Sequence, residues 1–233
     1  MFALLLRYFY TTAAPRYESV MLVLSIIAVC SMIAGNVLAL LQTNVKRILA
    51  YSSIAHMGYV LVALLAAGAL GAQAVTFYLI AYFITTIGAF GVIVVLSSTD
   101  RDADQLDDYR GLFWNRPVLG AVMTLMLLSL AGIPVTAGFF GKFYIVVAGA
   151  SSARWALVIV LVLTSVLGLF YYLRLVVVIF SAPPERGGAR PAIRIPASSG
   201  LVLGALSVFL VWFGMYPSYI LRFVETAAEG MAH

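Results

Sequence analysis

Long apolar stretches, broken by short clusters of glycine, proline and charged residues, set the organisation of this chain. Their lengths predict helices at 1–11, 19–41, 45–68, 74–97, 117–148, 155–180 and 197–222. Most of these stretches reach the roughly 20 residues needed to cross about 30 Å of hydrocarbon. They are too long for barrel strands and do not alternate apolar with polar positions. In lipid every backbone polar group must be paired within the protein, so the stretches are helices. Two depart from the expected length. Residues 1–11 rise only about 16 Å, half a bilayer. Residues 117–148 would rise about 48 Å if straight. They contain Gly132-Ile133-Pro134, then Gly138 and Gly141. Proline removes a backbone donor and clashes with the preceding turn, so a break is expected near residue 134. The expectation is one transmembrane domain over 1–233: an all-α polytopic bundle of six full helices, one of them broken, and one partial helix.

Composition agrees with this pattern. Of 233 residues 64% are apolar and 10% charged, against about a quarter charged in soluble domains; the mean hydropathy is +1.06. The net charge of +5 does not point to nucleic acid, because the arginines are scattered among loops and interleaved with acids. The single cysteine, Cys30, lies in an apolar run and is expected to pack there. No cluster of His, Cys, Asp and Glu has metal-ligand spacing, and no glycine-rich phosphate loop follows a strand. Lys46, Arg47, Arg101, Arg110, Arg116, Arg186, Arg190 and Arg194 fall on one side; Arg7, Arg16, Arg154 and Arg222 fall on the other. The positive-inside rule makes the first side cytoplasmic. The acidic loop 98–116 then lies there, as a solvated connector or as a docking surface for a soluble partner.

A few polar residues interrupt the apolar stretches. Lys142 follows the expected break, where a lysine costs on the order of 2.5–3.5 kcal/mol on insertion scales. Such a residue faces a wet cavity or a partner and exchanges protons, or it snorkels to the interface. The segment at 45–68 carries Lys46, Tyr51, Ser52, Ser53, His56 and Tyr59. Ser52 and His56 are four apart and His56 and Tyr59 three, so they share a face. Each can donate and accept a hydrogen bond, as a proton path requires, and each can equally join helices together. Lys46, near a helix end, reads as a relay residue or as an interfacial anchor. Tyr78, Tyr82, Thr85 and Thr86 form a polar stripe; Tyr171, Tyr172 and Arg174 are expected near an interface.

Three stretches carry a resemblance. One is Gly35-Asn36-Val37-Leu38-Ala39-Leu40-Leu41-Gln42-Thr43-Asn44-Val45-Lys46-Arg47, running into Leu49-Ala50-Tyr51-Ser52-Ser53-Ile54-Ala55-His56-Met57-Gly58-Tyr59. The others are Tyr109-Arg110-Gly111-Leu112-Phe113-Trp114 and Leu130-Ala131-Gly132-Ile133-Pro134 with Gly138-Phe139-Phe140-Gly141-Lys142-Phe143-Tyr144. The chain resembles, over essentially its whole length, the antiporter-like membrane subunits of bacterial respiratory complex I, and among them the subunit N family of NADH-quinone oxidoreductase. The resemblance implies an antiporter-like fold of inverted five-helix repeats and a proton-translocating role in the bacterial inner membrane, beside other complex I membrane subunits. It places Lys142 on the path toward the periplasm and Lys46 and His56 in the connection between half-channels; Ser52, Ser53 and Tyr59 remain candidates by the hydroxyls they carry on the same segment. It implies no redox cofactor in this chain; NAD, FMN, iron–sulfur clusters and quinone are expected in other subunits. A cation/proton antiporter subunit and a non-pumping scaffold are the alternatives. The family has about fourteen helices, so the expectation is its C-terminal half, from an internal start or a truncated or split gene, with a further lysine about three residues before Met1.

Overall fold

The computed structural model describes residues 18–66, 68–97, 102–183 and 197–217. Among these are α1 (Glu18–Leu40), α2 (Val45–Ala66), α3 (Gly68–Leu96), a 3-10 turn (Leu106–Tyr109), α4 (Leu112–Asn115), α5 (Pro117–Ala131), α6 (Ala137–Ser151), α7 (Trp155–Phe180) and α8 (Ala197–Met215). Five of them, α1, α2, α3, α7 and α8, are long and apolar enough to cross a membrane. With 15 residues each, α5 and α6 rise about 22 Å apiece and fall short alone. The chain is a multi-pass membrane protein. The partial helix expected at 1–11 lies outside the described residues, as do Arg7, Arg16, Arg101, Arg186, Arg190, Arg194, Arg222 and the end of the stretch 197–222.

The bundle is built around α2, which packs against α1, α3, α6 and α7. Every residue from Gly58 to Ala66 is buried, as expected of a helix that is apolar all round. The outward faces of the peripheral helices carry large exposed apolar side chains, such as Leu22 and Ile26 on α1, Leu163 and Phe170 on α7, and Leu201 and Val208 on α8. A soluble surface would not tolerate this; a hydrocarbon solvent favours it.

Three expectations change. The helix expected at 74–97 begins at Gly68. Its Gly-Ala-Leu-Gly opening reads as linker by propensity, but Gly71 lies against the backbone of Ala63, where any side chain would collide, and that close packing overrides propensity. Cys30 is exposed on α1 and does not pack in the core. The described part of the acidic loop is not a loose connector, although Asp102, Gln105, Asp107 and Arg110 stay exposed. It is clasped to the turn between α1 and α2: Val45 N–H donates to Asp104 O at 2.6 Å and Leu106 N–H to Thr43 O at 2.9 Å. Gln105 bridges to Asn44, and Lys46 pairs with Asp102 at 2.7 Å. On the far side, Gly111 N–H donates to Val178 O, the Trp114 indole N–H donates to Phe180 O at 2.9 Å, and Phe113 stacks on Phe180. Asn44 also caps α2, its Oδ1 accepting from Arg47 N–H at 3.0 Å.

Candidate functional site

The site begins where α5 stops. Gly132 takes a left-handed conformation, φ 84°, which glycine adopts without strain. Its N–H donates to Ser129 O, and Ile133 N–H donates to Leu128 O. This is the paired arrangement of a Schellman end. The chain therefore leaves the helix at Gly132, two residues before Pro134. The proline lies just after this stop, inside the break expected near residue 134. The last four carbonyls of a helix have no partner within it. Those of Leu128 and Ser129 are satisfied by the Schellman bonds. Those of Leu130 and Ala131 are satisfied by Lys142, whose Nζ donates to them at 2.9 and 3.0 Å.

Lys142 reaches back because α6 starts beside the last turn of α5. Gly138 sits against the Ser129 carbonyl, so close that no Cβ could be placed there, and its N–H donates to Ser129 Oγ at 3.2 Å. The lysine stem lies over Gly132. An ammonium has three donors and a neutral amine two. Two bonds to carbonyls suit both states and leave one position of Nζ to give up or receive a proton. Lys142 is half-buried and lines a cavity of about 10 Å³ together with His56, Tyr78, Tyr82, Thr85 and Ser129, on the order of one water in size. Its Nζ also lies 5.5 Å from the ring centre of Tyr59, within cation–π range.

Across the cavity stands His56 on α2, buried at 3% exposure. Its Nδ1 is hydrogen-bonded to the Tyr78 hydroxyl of α3 and its Nε2 to the Tyr172 hydroxyl of α7, the latter at 3.1 Å. A second set of bonds surrounds Asn36 on α1, which is fully buried. Its Nδ2 donates to Tyr59 Oη at 3.0 Å and its Oδ1 accepts from the Tyr171 hydroxyl at 3.0 Å. Tyr82 donates to Ser53 Oγ at 2.6 Å, and Ser52 and Ser53 each donate to Leu49 O. Thr85 Oγ1 lies 3.3 Å from Ser129 Oγ.

The structure thus gathers Lys142, His56 and Tyr59 around the break, with Ser52 and Ser53 on the same helix and Gly132 shaping it. Lys46 is set apart, at the start of α2 in its ion pair with Asp102. Arg174 is exposed. Four residues in the network had no such role in the sequence reading. Tyr171 and Tyr172, expected at an interface, are buried at 1% exposure. Tyr172 is eight residues from the end of α7, about 12 Å deep, and that depth was the available signal. Asn36, a lone amide in an apolar helix four residues from its end, was another. Ser129 carried no such signal, since a single serine in a membrane helix usually bonds to its own backbone.

Residues 1–168 match the family model described as NADH:quinone oxidoreductase/Mrp antiporter, transmembrane. The chain is 47% identical over 232 residues, 98% of its length, to NADH-quinone oxidoreductase subunit N of Ectopseudomonas mendocina. It is 46% identical over 221 residues to the subunit N of Methylococcus capsulatus. It spans about half the length of these relatives, 47% and 44% respectively. Among solved structures, a chain of respiratory complex I from Thermus thermophilus with bound aureothin superposes with a TM-score of 0.74 at 36% identity, over 86% of this chain and 44% of that one. A chain of the Mrp complex of Dietzia sp. superposes with a TM-score of 0.82 at 23% identity, over 93% and 48%, a likeness of fold alone. On the match over residues 1–168, this chain belongs to the NADH:quinone oxidoreductase/Mrp antiporter transmembrane family.

Proposed function

We propose that this chain serves as a membrane subunit of a proton-pumping NADH:quinone oxidoreductase, complex I, of the bacterial inner membrane, and that Lys142 and His56 lie on its proton route. The observation that carries the reading is the seat of Lys142: two donors held by the carbonyls ending α5 and one position left for a proton, on a small polar cavity shared with His56. A proton leaving Nζ enters a cavity whose polar lining is Ser129, Thr85, Tyr82 and the Tyr78–His56 pair, and a water there would bridge to them. Ser52, Ser53 and Tyr59 supply hydroxyls beside this centre. Lys46, paired with Asp102, fits better as the anchor of the clasped loop than as a relay. NADH, flavin, iron–sulfur clusters and quinone belong to other subunits in this reading, and the partners are the other membrane subunits. The 36% identity to a complex I chain favours this over cation exchange, for which the likeness to the Mrp chain, one of fold, gives no support.

The test is Lys142→Arg beside Lys142→Ala in the assembled complex, with proton pumping and electron transfer measured together. Arginine keeps the charge but does not release its proton at accessible pH. Pumping should fall substantially in both variants. Wild-type pumping in both, in a properly assembled complex, would make the lysine structural and sink the reading.

A further inference from the structure

Two kinds of partner hold the two titratable side chains at this site, and the kinds differ in chemistry. Lys142 is held by backbone carbonyls, which only accept. His56 is held on both ring nitrogens by phenol hydroxyls, Tyr78 at Nδ1 and Tyr172 at Nε2. A histidine that donates one N–H to a carbonyl or carboxylate, a common arrangement, has its tautomer fixed by that bond. A hydroxyl rotates to donate or to accept. Between two hydroxyls, the Nδ1–H tautomer, the Nε2–H tautomer and the imidazolium can all be fully hydrogen-bonded. The three groups come from three helices, α2, α3 and α7, and close ring contacts hold them: the His56 ring lies 6.0 Å from that of Tyr78 and 6.4 Å from that of Tyr172. Among the described residues no acid stands in the lining of the cavity, and Lys142 is the one lysine or arginine in it.

We propose that Tyr78 and Tyr172 hold His56 as a tautomer-inverting relay and pass one proton through the ring from the Lys142 cavity toward α7. This rests on the proton-pumping reading above. In the Nε2–H tautomer, His56 donates to the Tyr172 oxygen and accepts from the Tyr78 hydroxyl. A proton reaching the Tyr78 oxygen from the cavity releases the phenol proton to Nδ1. The Nε2 proton moves to the Tyr172 oxygen, and the Tyr172 phenol proton leaves toward its hydroxyl neighbours Ser52 and Tyr171. One proton enters and one leaves, no charge is left behind, and the ring ends in the opposite tautomer. A second proton cannot follow until the ring is reset, which limits leak.

Tyr78→Phe and Tyr172→Phe in the assembled complex test this. Each should lower pumping by at least about tenfold, on the scale of a lost acid–base group, and should raise the solvent deuterium isotope effect on pumping. The double variant should be no worse than the poorer single one, since the hydroxyls act in series. Fluorinated tyrosine at either position keeps the shape but makes the phenol more acidic, so it remains informative if a Phe variant fails to assemble. It should shift the pH profile of pumping, which a purely structural tyrosine would not do. Unchanged pumping and isotope effect in both Phe variants, or an unshifted profile with fluorotyrosine, overturns the relay. If Lys142→Ala still abolishes pumping in that case, the wider reading survives; if Lys142→Ala also pumps normally, both fall.

Discussion

Lys142 and Lys46 occupy two regions of one bundle, and both belong to the stretches that carry the family resemblance. Lys142 stands at the break between α5 and α6, where it completes the end of a helix and faces a polar cavity. Lys46 stands in the first turn of α2, 36% exposed, with its charge matched by an Asp102 that is 65% exposed. The first lysine replaces solvent for two carbonyls that have no other partner; the second adds one ion pair to a clasp already held by backbone bonds. Exposed pairs contribute roughly 0–1 kcal/mol. A carbonyl left unpaired in an apolar setting costs about 1–3 kcal/mol. In the reading proposed above a proton-route role and a structural role coincide at Lys142, whereas Lys46 sits in an ion pair of the clasp.

The sharpest way to break this contrast is to truncate both. Lys142→Ala should reduce pumping to near background and also destabilise the subunit by about 2 kcal/mol or more, because two carbonyls lose their donor. Lys46→Ala should keep most of the pumping and lose no more than about 1 kcal/mol. Pumping ratios measured at matched assembly decide it: if Lys46→Ala is as damaging as Lys142→Ala, the two lysines lie on one route and the separation drawn here is wrong.

A smaller effect is expected from Gly132→Ala, which leaves Lys142 in place but disturbs its seat. The new side chain would sit at φ 84°, at a cost of about 1–2 kcal/mol, and its Cβ would come within 3.0 Å of Lys142 Cδ and 3.3 Å of Nζ. Thermal stability should fall by that amount and pumping severalfold. Pro134→Ala should cost much less, because the Schellman end already stops the helix. Equal losses in these two variants would return the break to the proline.

The two regions were also unequally legible in the sequence. The break was visible because a stretch of 32 residues with internal Gly and Pro cannot cross straight, and Lys142 because a lysine is costly at that depth. What remained hidden was the partner chemistry. Nothing local tells that Tyr78 and Tyr172, 22 and 116 residues from His56, meet one ring. Nor does it tell that Lys142 bonds to carbonyls 11 and 12 residues back. Both facts depend on how helices cross. The clasp escapes the side-chain pattern for a related reason: its aspartates look like a solvated run, yet backbone bonds join it to the α1–α2 turn as much as side-chain ones do.

Within the clasp, Asp102→Asn should have a smaller effect than Gly132→Ala. It removes one exposed charge and leaves the Val45–Asp104 and Leu106–Thr43 bonds intact, so less than about 1 kcal/mol is expected. High salt should remove the difference from wild type. A salt-independent loss would mean that Asp102 acts by something other than its pairing with Lys46.

The effect confined to alkaline pH concerns Tyr109. Its buried hydroxyl donates to Ala103 O at 2.9 Å and so closes the loop on itself. Burial first, and then the neighbouring Asp108 and Asp104, push its phenol well above the ordinary value of 10.0. Ionisation would place an anion beside two carboxylates and lose the donated bond. Because the folded value is raised above the unfolded one, the stabilisation is fully present below about pH 10 and fades as the pH rises through the folded value. The clasp should therefore be insensitive to pH across the physiological range and loosen only in strong alkali. Trp114 reports on it through its bond to Phe180 O, so its fluorescence can be followed with Trp155 and Trp212 replaced by Phe. Tyr109→Phe should cost about 1 kcal/mol and abolish the alkaline transition. If the transition persists in that variant, another group titrates there and the clasp does not depend on the Tyr109 proton.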